Sequence, residues 1–237
     1  MGKVTILPET TKDPISLMGR RAGICWGADI TDAKKNYKRG LECIKNNHGR
    51  VIEFPDIHMV IEGYSARVIR EYYTHIGGSP SRLQASTRYI NYENFEYVTP
   101  KTISANEDAL KVYNETMKVI SESCQKLEKL GVPLEDSALL LPFGMTTRMV
   151  DKRNPRNLID MSRNRMCTRA YWEFRELFND ILTALKEYSP EWEYLVNTQM
   201  MPKCEYLGYC PEQHSCGRKP KKRCASMRIN ASVVHLN

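Results

Sequence analysis

The chain of 237 residues lacks any run of about 18 apolar residues, so no membrane-spanning helix is expected. Its first residues, MGKVTILPETTKDP, lack an apolar core followed by a small-residue cleavage site, and the protein reads as cytoplasmic. There is no internal repeat and no low-complexity stretch outside a basic end. Acidic residues stop at Glu212, beyond which stand Arg218, Lys219, Lys221, Lys222, Arg223 and Arg228. The net charge of +7 is therefore concentrated in the tail, and the body is close to neutral. That distribution excludes a globally basic nucleic-acid binder and leaves weak polyanion contact by the tail as the only such role. No C-x2-C knuckle occurs, although the chain has eight cysteines.

What is present suffices for a core. At 41% hydrophobic and 27% charged, the chain falls outside the disordered class. The reading is a principal domain over residues 1–200 and a Cys-rich basic extension over 201–237. Cys25, Cys43, Cys124 and Cys167 lie in helix-like segments and read as small buried hydrophobes. Cys204, Cys210, Cys216 and Cys224 follow a C-x5-C-x5-C-x7-C spacing with His214 inside. Four soft ligands at this range suit a structural zinc ion, with His214 or Cys224 as the fourth ligand, the alternatives being partly buried thiols or, in an oxidising compartment, disulfides.

Periodicity and caps predict helices over 14–26, 31–47 (capped by Thr31 or Asp32) and 65–75, with Ser65 as N-cap. The clearest helix spans 109–130, where Leu110, Tyr113, Met117, Ile120, Cys124, Leu127 and Leu130 recur at steps of three and four before Gly131. One long helix is expected from about 157 to 188, ended by Ser189-Pro190. On it Arg165, Arg169 and Glu173 would share a face. Residues 50–62 read as a strand broken at Pro55, and 92–98 as a second strand.

The stretch GGSPSRLQASTRYINYE, residues 77–93, concentrates hydroxyls, amides and guanidiniums in one loop. It reads either as a solvated turn or as a cradle for a planar, anionic ligand. Gln84, Ser86 and Arg88 alternate, so an extended chain would send all three side chains the same way. Gly77 and Gly78 permit backbone conformations that expose N–H groups.

Three segments together resemble the flavin-dependent thymidylate synthases. Ser86-Thr87-Arg88-Tyr89 matches the end of that family's signature, and His75 its histidine. Leu141-Pro142, Thr146-Thr147, Asn154, Arg156, Arg165, Ala170 and Glu173 match its C-terminal block. His48 and Glu53 match a His-x4-Glu stretch. The resemblance, over roughly residues 14–192, implies an α+β fold with a mixed sheet and long helices, assembled as a homotetramer with active sites between subunits. It implies FAD as cofactor, dUMP as substrate, methylenetetrahydrofolate as carbon donor and NADPH as reductant. It also implies roles for named residues. Arg165 and Ser86 would position the reacting pyrimidine, with Glu71, Gln84 and Arg88 completing the nucleotide site. His48, Arg50, His75, Arg82, Asn154 and Arg156 would hold the flavin, and the two histidines would organise folate stacking.

The sequence departs from that pattern. The signature's Arg-His-Arg is Thr74-His75-Ile76, and the spacing from His75 to Ser86 is two residues longer. Gln84 replaces a glutamate, Glu71 a glutamine, Ala138 an arginine and Asp160 an asparagine. Arg82, inside the lengthened loop, is placed to restore one lost charge. These changes keep two alternatives open: a same-scaffold enzyme making another 5-substituted pyrimidine nucleotide, and a non-catalytic zinc-stabilised nucleic-acid-binding protein.

Overall fold

A computed structural model describes residues 2–221. The strands are β1 (Lys3–Ile6), β2 (Ile57–Ser65), β3 (Ser81–Gln84) and β4 (Thr146–Arg153). The helices are α1 (Pro14–Cys25), α2 (Ala33–Lys45), α3 (Ala66–Tyr73), α4 (Lys101–Ser104), α5 (Glu107–Lys129), α6 (Leu134–Ser137), α7 (Pro155–Arg165), α8 (Trp172–Tyr188), α9 (Pro190–Gln199) and α10 (Lys203–Leu207).

The sheet order is β1-β2-β4-β3, and every neighbouring pair is antiparallel. The α+β class holds, but the expected mixed sheet is corrected. β2 and β3 run the same way, and β4 inserts between them, so no parallel pair forms. Alternation sets the two faces. Ile57, Met59 and Ile61 of β2, with Thr147, Met149, Asp151 and Arg153 of β4, are buried on one face. The intervening Arg148 and Glu62 pair on the other at 2.9 Å.

Against the buried face lies α8, whose Phe174, Leu177, Phe178, Ile181, Leu182 and Leu185 recur at helical spacing and are all buried. Trp192 of α9 is fully buried, and its indole N–H donates to the Thr11 carbonyl at 2.8 Å. α1 and α2 form a hairpin that meets at two glycines. A Cβ on Gly19 would stand 1.8 Å from the Asn36 carbonyl oxygen, and one on Gly40 2.0 Å from that of Ile15. Only glycine allows this approach. A smaller cluster of Phe95, Met117 and Met145 seats α5, whose Val112 and Val119 remain exposed.

Several boundaries need correction. Residues 49–53 form a short 3-10 turn, and the strand begins only at Ile57, past the break that Pro55 imposes. Residues 92–98 are not a strand beyond one bridge from Tyr97 to Met145. α5 competes for that backbone: Ser121 Oγ and Gln125 Nε2 donate to the Glu93 carbonyl. The long helix is two helices. The turn between them has its carbonyls taken by side chains, Arg175 donating to Thr168 and Ala170 and Arg218 to Met166. Arg165, Arg169 and Glu173 therefore do not share a helix face. Arg165 ends α7, Arg169 pairs with Glu212, and Glu173 is buried, accepting from the Ser65 backbone and hydroxyl.

Candidate active site

α7 carries the framework. Asn154 caps it, accepting from the Asn157 amide at 3.0 Å, and Pro155 occupies its first position. Beneath its start, Arg153 is fully buried beside Asp151, with Nε–Oδ2 at 2.5 Å and Nη2–Oδ1 at 2.8 Å. This forked pair also receives the Tyr72 hydroxyl at 3.1 Å, and the Arg153 guanidinium stacks on the Tyr72 ring. Arg153 Nη1 donates to Asn157 Oδ1, and Asn157 Nδ2 donates to the Gly77 carbonyl at 2.6 Å. The ion pair thus fixes the start of the 77–93 loop to α7. Gly78 has φ +73°, and a Cβ there would meet Asn154 Nδ2 at 2.4 Å.

Arg165, at the far end of α7, is held from three sides. Its Nε donates to His75 Nε2 at 2.9 Å, its Nη1 to Glu71 at 3.3 Å, and its guanidinium lies 4.5 Å from the Phe174 ring centre. An acceptor Nε2 means a neutral imidazole with its proton on Nδ1. Burial, then the positive charges of Arg165, Arg153 and Arg82, push the His75 pKa down to about 4. Arg82 approaches from β3, donating to the Tyr73 carbonyl at 2.9 Å and stacking on its ring. Four of the residues singled out from sequence, Glu71, His75, Arg82 and Arg165, therefore belong to one neighbourhood.

A second group forms at the start of α7. Glu53 receives Arg50 at 3.0 Å and Arg156 on its other oxygen. His48 precedes this turn and lines a largely apolar cavity of about 820 Å³ with Trp26, Phe54 and Arg50. Arg156 and Arg165 are nine residues apart, about 13–14 Å along the axis at helical rise.

The third group stands apart within one chain. Gln84 lies in β3, its amide 3.3 Å from Thr147 Oγ1. The extended row stops there. Ser86 begins a turn, its carbonyl accepting from Ile90 and its hydroxyl from the Arg88 amide. Arg88 pairs with Glu135 of α6 at 2.7 Å, both exposed. This chain does not bring Arg88 to Arg165 by any described contact. Ala138 does lie by the loop, lining a small gap with Thr87 and Ile90.

Cys204, Cys210 and Cys216 are free thiols, and no group of three or more His, Cys, Asp or Glu that could hold a metal occurs among the described residues. Cys224, fourth in the proposed zinc set, lies outside the described residues. No helix among the described residues is long and apolar enough to cross a membrane.

Sequence reasoning missed Phe174, Asn157 and the Asp151–Arg153 pair. Asp151 and Arg153 alternate with exposed Val150 and Lys152 along β4, so their period-two pattern was the available signal.

The family described as Thymidylate synthase complementing protein matches residues 7–191 of this chain. The flavin-dependent thymidylate synthase of Clostridium tetani is 27% identical, covering 92% of this chain and 94% of that protein. That of Nitratidesulfovibrio vulgaris is 29% identical over 90% and 94%, and that of Pyrococcus horikoshii 31% identical over 74% and 75%. With a match this long, the chain belongs to the flavin-dependent thymidylate synthases and is an enzyme of that family.

Proposed function

We propose that the reaction is methylation of dUMP to dTMP, with methylenetetrahydrofolate as carbon donor, NADPH as reductant and FAD as cofactor. The carrying observation is Arg165, presented by neutral His75, Glu71 and Phe174 at the edge of a cationic cavity. A guanidinium so fixed is poised to stabilise negative charge developing on a pyrimidine carbonyl. Holding it in advance avoids reorganisation during the reaction.

The donor set supports a phosphate-bearing cofactor. Arg50 and Arg156 share the single carboxylate of Glu53, which leaves guanidinium N–H groups free for an anion. In this reading His48, Arg50, Asn154 and Arg156 hold the flavin nucleotide's adenine and phosphate end, and His75 with Arg82 borders its ring. Reduced flavin, when bound, supplies hydride equivalents. Ser86 and Arg165 orient the pyrimidine; Gln84 and Arg88 grip the nucleotide, and Glu71 sets Arg165. Ser86 has no histidine base among its hydrogen-bond partners, which favours positioning over nucleophilic attack.

The separation of Arg88 from Arg165 supports sites built between subunits of a homotetramer. Exposed apolar side chains flank both groups: Ile76 beside His75, and Tyr89 and Ile90 beside Arg88. Where exposed apolar side chains form a contiguous patch, a second protein commonly covers them, and these positions support that reading. In this proposal residues 201–237 form an appendage to the catalytic body, and zinc there is decided by metal analysis of the full chain.

Purified protein is expected to be yellow, to bleach with NADPH, and to convert dUMP to a product of dTMP mass in the presence of methylenetetrahydrofolate. A product of different mass would assign another 5-substituted pyrimidine. A colourless protein that takes up no added FAD would remove the flavin.

A further inference from the structure

The turn between α7 and α8, residues 166–171 (MCTRAY), contains neither glycine nor proline. Its own residue types do not specify a turn, and the last carbonyls of α7 have no partner within the helix. Side chains from elsewhere must hold this backbone. Arg175 of α8 takes the Thr168 and Ala170 carbonyls. The other support comes from residues 201–219, beyond the family match that ends at residue 191.

This segment forms a strap across the end of α7. The Arg218 guanidinium donates at 3.2 Å to the carbonyl of Met166, the residue after Arg165. Cations are favoured at this end of a helix. The Tyr206 ring stacks 3.9 Å from the Arg163 guanidinium. Arg163 Nη1 is buried without a hydrogen-bond partner, so the ring face is what meets this cation. The Met201 amide donates to the buried Ser162 hydroxyl at 3.2 Å, Glu212 pairs with Arg169 at 2.6 Å, and Cys216 bonds to the Thr168 side chain. The strap is also closed on itself. The Cys210 amide donates to the Pro220 carbonyl at 2.7 Å, and Lys219 pairs with Glu205 at 3.0 Å. Its anchors thus fall on both sides of Arg165 in the chain, while the Arg165 guanidinium is set on His75, Glu71 and Phe174.

We propose that Tyr206 and Arg218 are positioning residues for the reaction: from a strap outside the family match they fix the end of α7 and the turn after it, and through them the direction of the Arg165 guanidinium. The inference rests on the reading of Arg165 as the group that orients the pyrimidine. A misplacement of about 1 Å is costly for such a group.

The test uses the full chain loaded with FAD and titrated with dUMP by calorimetry, which separates affinity from the number of working sites. Tyr206→Ala combined with Arg218→Ala is expected to weaken dUMP binding by about fivefold, within the range by which members of one contact network couple. The number of sites is expected to stay that of wild type. Tyr206→Phe combined with Arg218→Lys keeps a ring and a donor cation, and is expected to restore wild-type affinity. In an Arg165→Ala background the two alanines are expected to change affinity by less than about twofold, because the group they act through is gone. A general weakening of the fold would instead lower the site count, or cost the same factor in both backgrounds, and either result overturns the positioning role. If Arg165→Ala weakens dUMP binding and the two alanines alone do not, Arg165 keeps its role and the strap loses its own. If wild type binds no dUMP, or Arg165→Ala binds it as wild type does, both readings fall.

Discussion

Arg165 and Arg88 carry the same charge toward the same proposed nucleotide, yet the fold treats them differently. Arg165 is 23% exposed and clamped by an imidazole, a carboxylate and an aromatic ring. Arg88 is 64% exposed and held by a single surface carboxylate. The foundations differ likewise. Behind His75 and Arg165 stands the buried Asp151–Arg153–Asn157 network; Arg88 sits on a turn against the short helix α6. One group is preorganised within the chain, and the other is held only at its surface.

The largest effect that can break this comparison concerns stability. Asp151→Ala strands the buried Arg153 guanidinium and is expected to cost about 3–5 kcal/mol. Glu135→Ala removes an exposed partner and is expected to cost about 0–1 kcal/mol. Urea unfolding of the two variants measures the contrast, and equal losses would show that the regions are not differently built. Next in size is ligand binding. Arg165→Ala is expected to weaken dUMP binding by about 1.5–3 kcal/mol, since a charge-assisted bond from a fixed donor is lost. Arg88→Ala is expected to fall at the lower end of that range, because ordering its side chain offsets part of the gain.

Mixing sharpens the same point. If Arg88 and Arg165 of different subunits meet in one site, weakly binding Arg165→Ala and Arg88→Ala chains, assayed at low dUMP, should regain part of the wild-type activity when dissociated and reassembled together. Some mixed sites would then carry both arginines. An unrestored mixture whose mass confirms hetero-oligomers would place both arginines in sites formed by one chain, or in different sites.

What was legible in the sequence follows the same division. Helix starts were readable where a side-chain cap and an apolar stripe agree, as at Asp32 and Ser65, whereas Ser189 was read as the end of the long helix although its side chain also caps the start of α9. Chemistry-bearing residues such as His75 and Arg165 were readable through resemblance, because their types and order stand in the chain. Their mutual hydrogen bond was not, because it spans 90 positions. The break in the long helix was hidden because no Pro or Gly marks it: Arg175, a few residues on, and Arg218, 52 positions away, take carbonyls that a continuing helix would use. The strand at 81–84 was hidden by its polar composition. It exists because β4 offers it an edge, with Leu83 facing Val150 across the pair.

The smallest effect concerns pH and isolates the clamp itself. Folded His75 has its pKa near 4, against an ordinary 6.5, mainly through burial and then through Arg165, Arg153 and Arg82. Between those values the unfolded chain takes up a proton that the folded chain refuses. This contribution to stability is therefore complete above about pH 6.5 and is lost as pH falls toward about 4. Protonation would also abolish the Nε2 acceptor and set a second positive charge against Arg165, with Glu71 the nearby carboxylate that would take up the guanidinium. His75→Gln keeps an acceptor oxygen without a titrating ring. Its stability curve is expected to be flatter than wild type between pH 6.5 and 4, and dUMP affinity in wild type should decline more than in the variant only as pH nears about 4. Parallel curves for the two proteins would mean that His75 is not the neutral acceptor on which Arg165 is set.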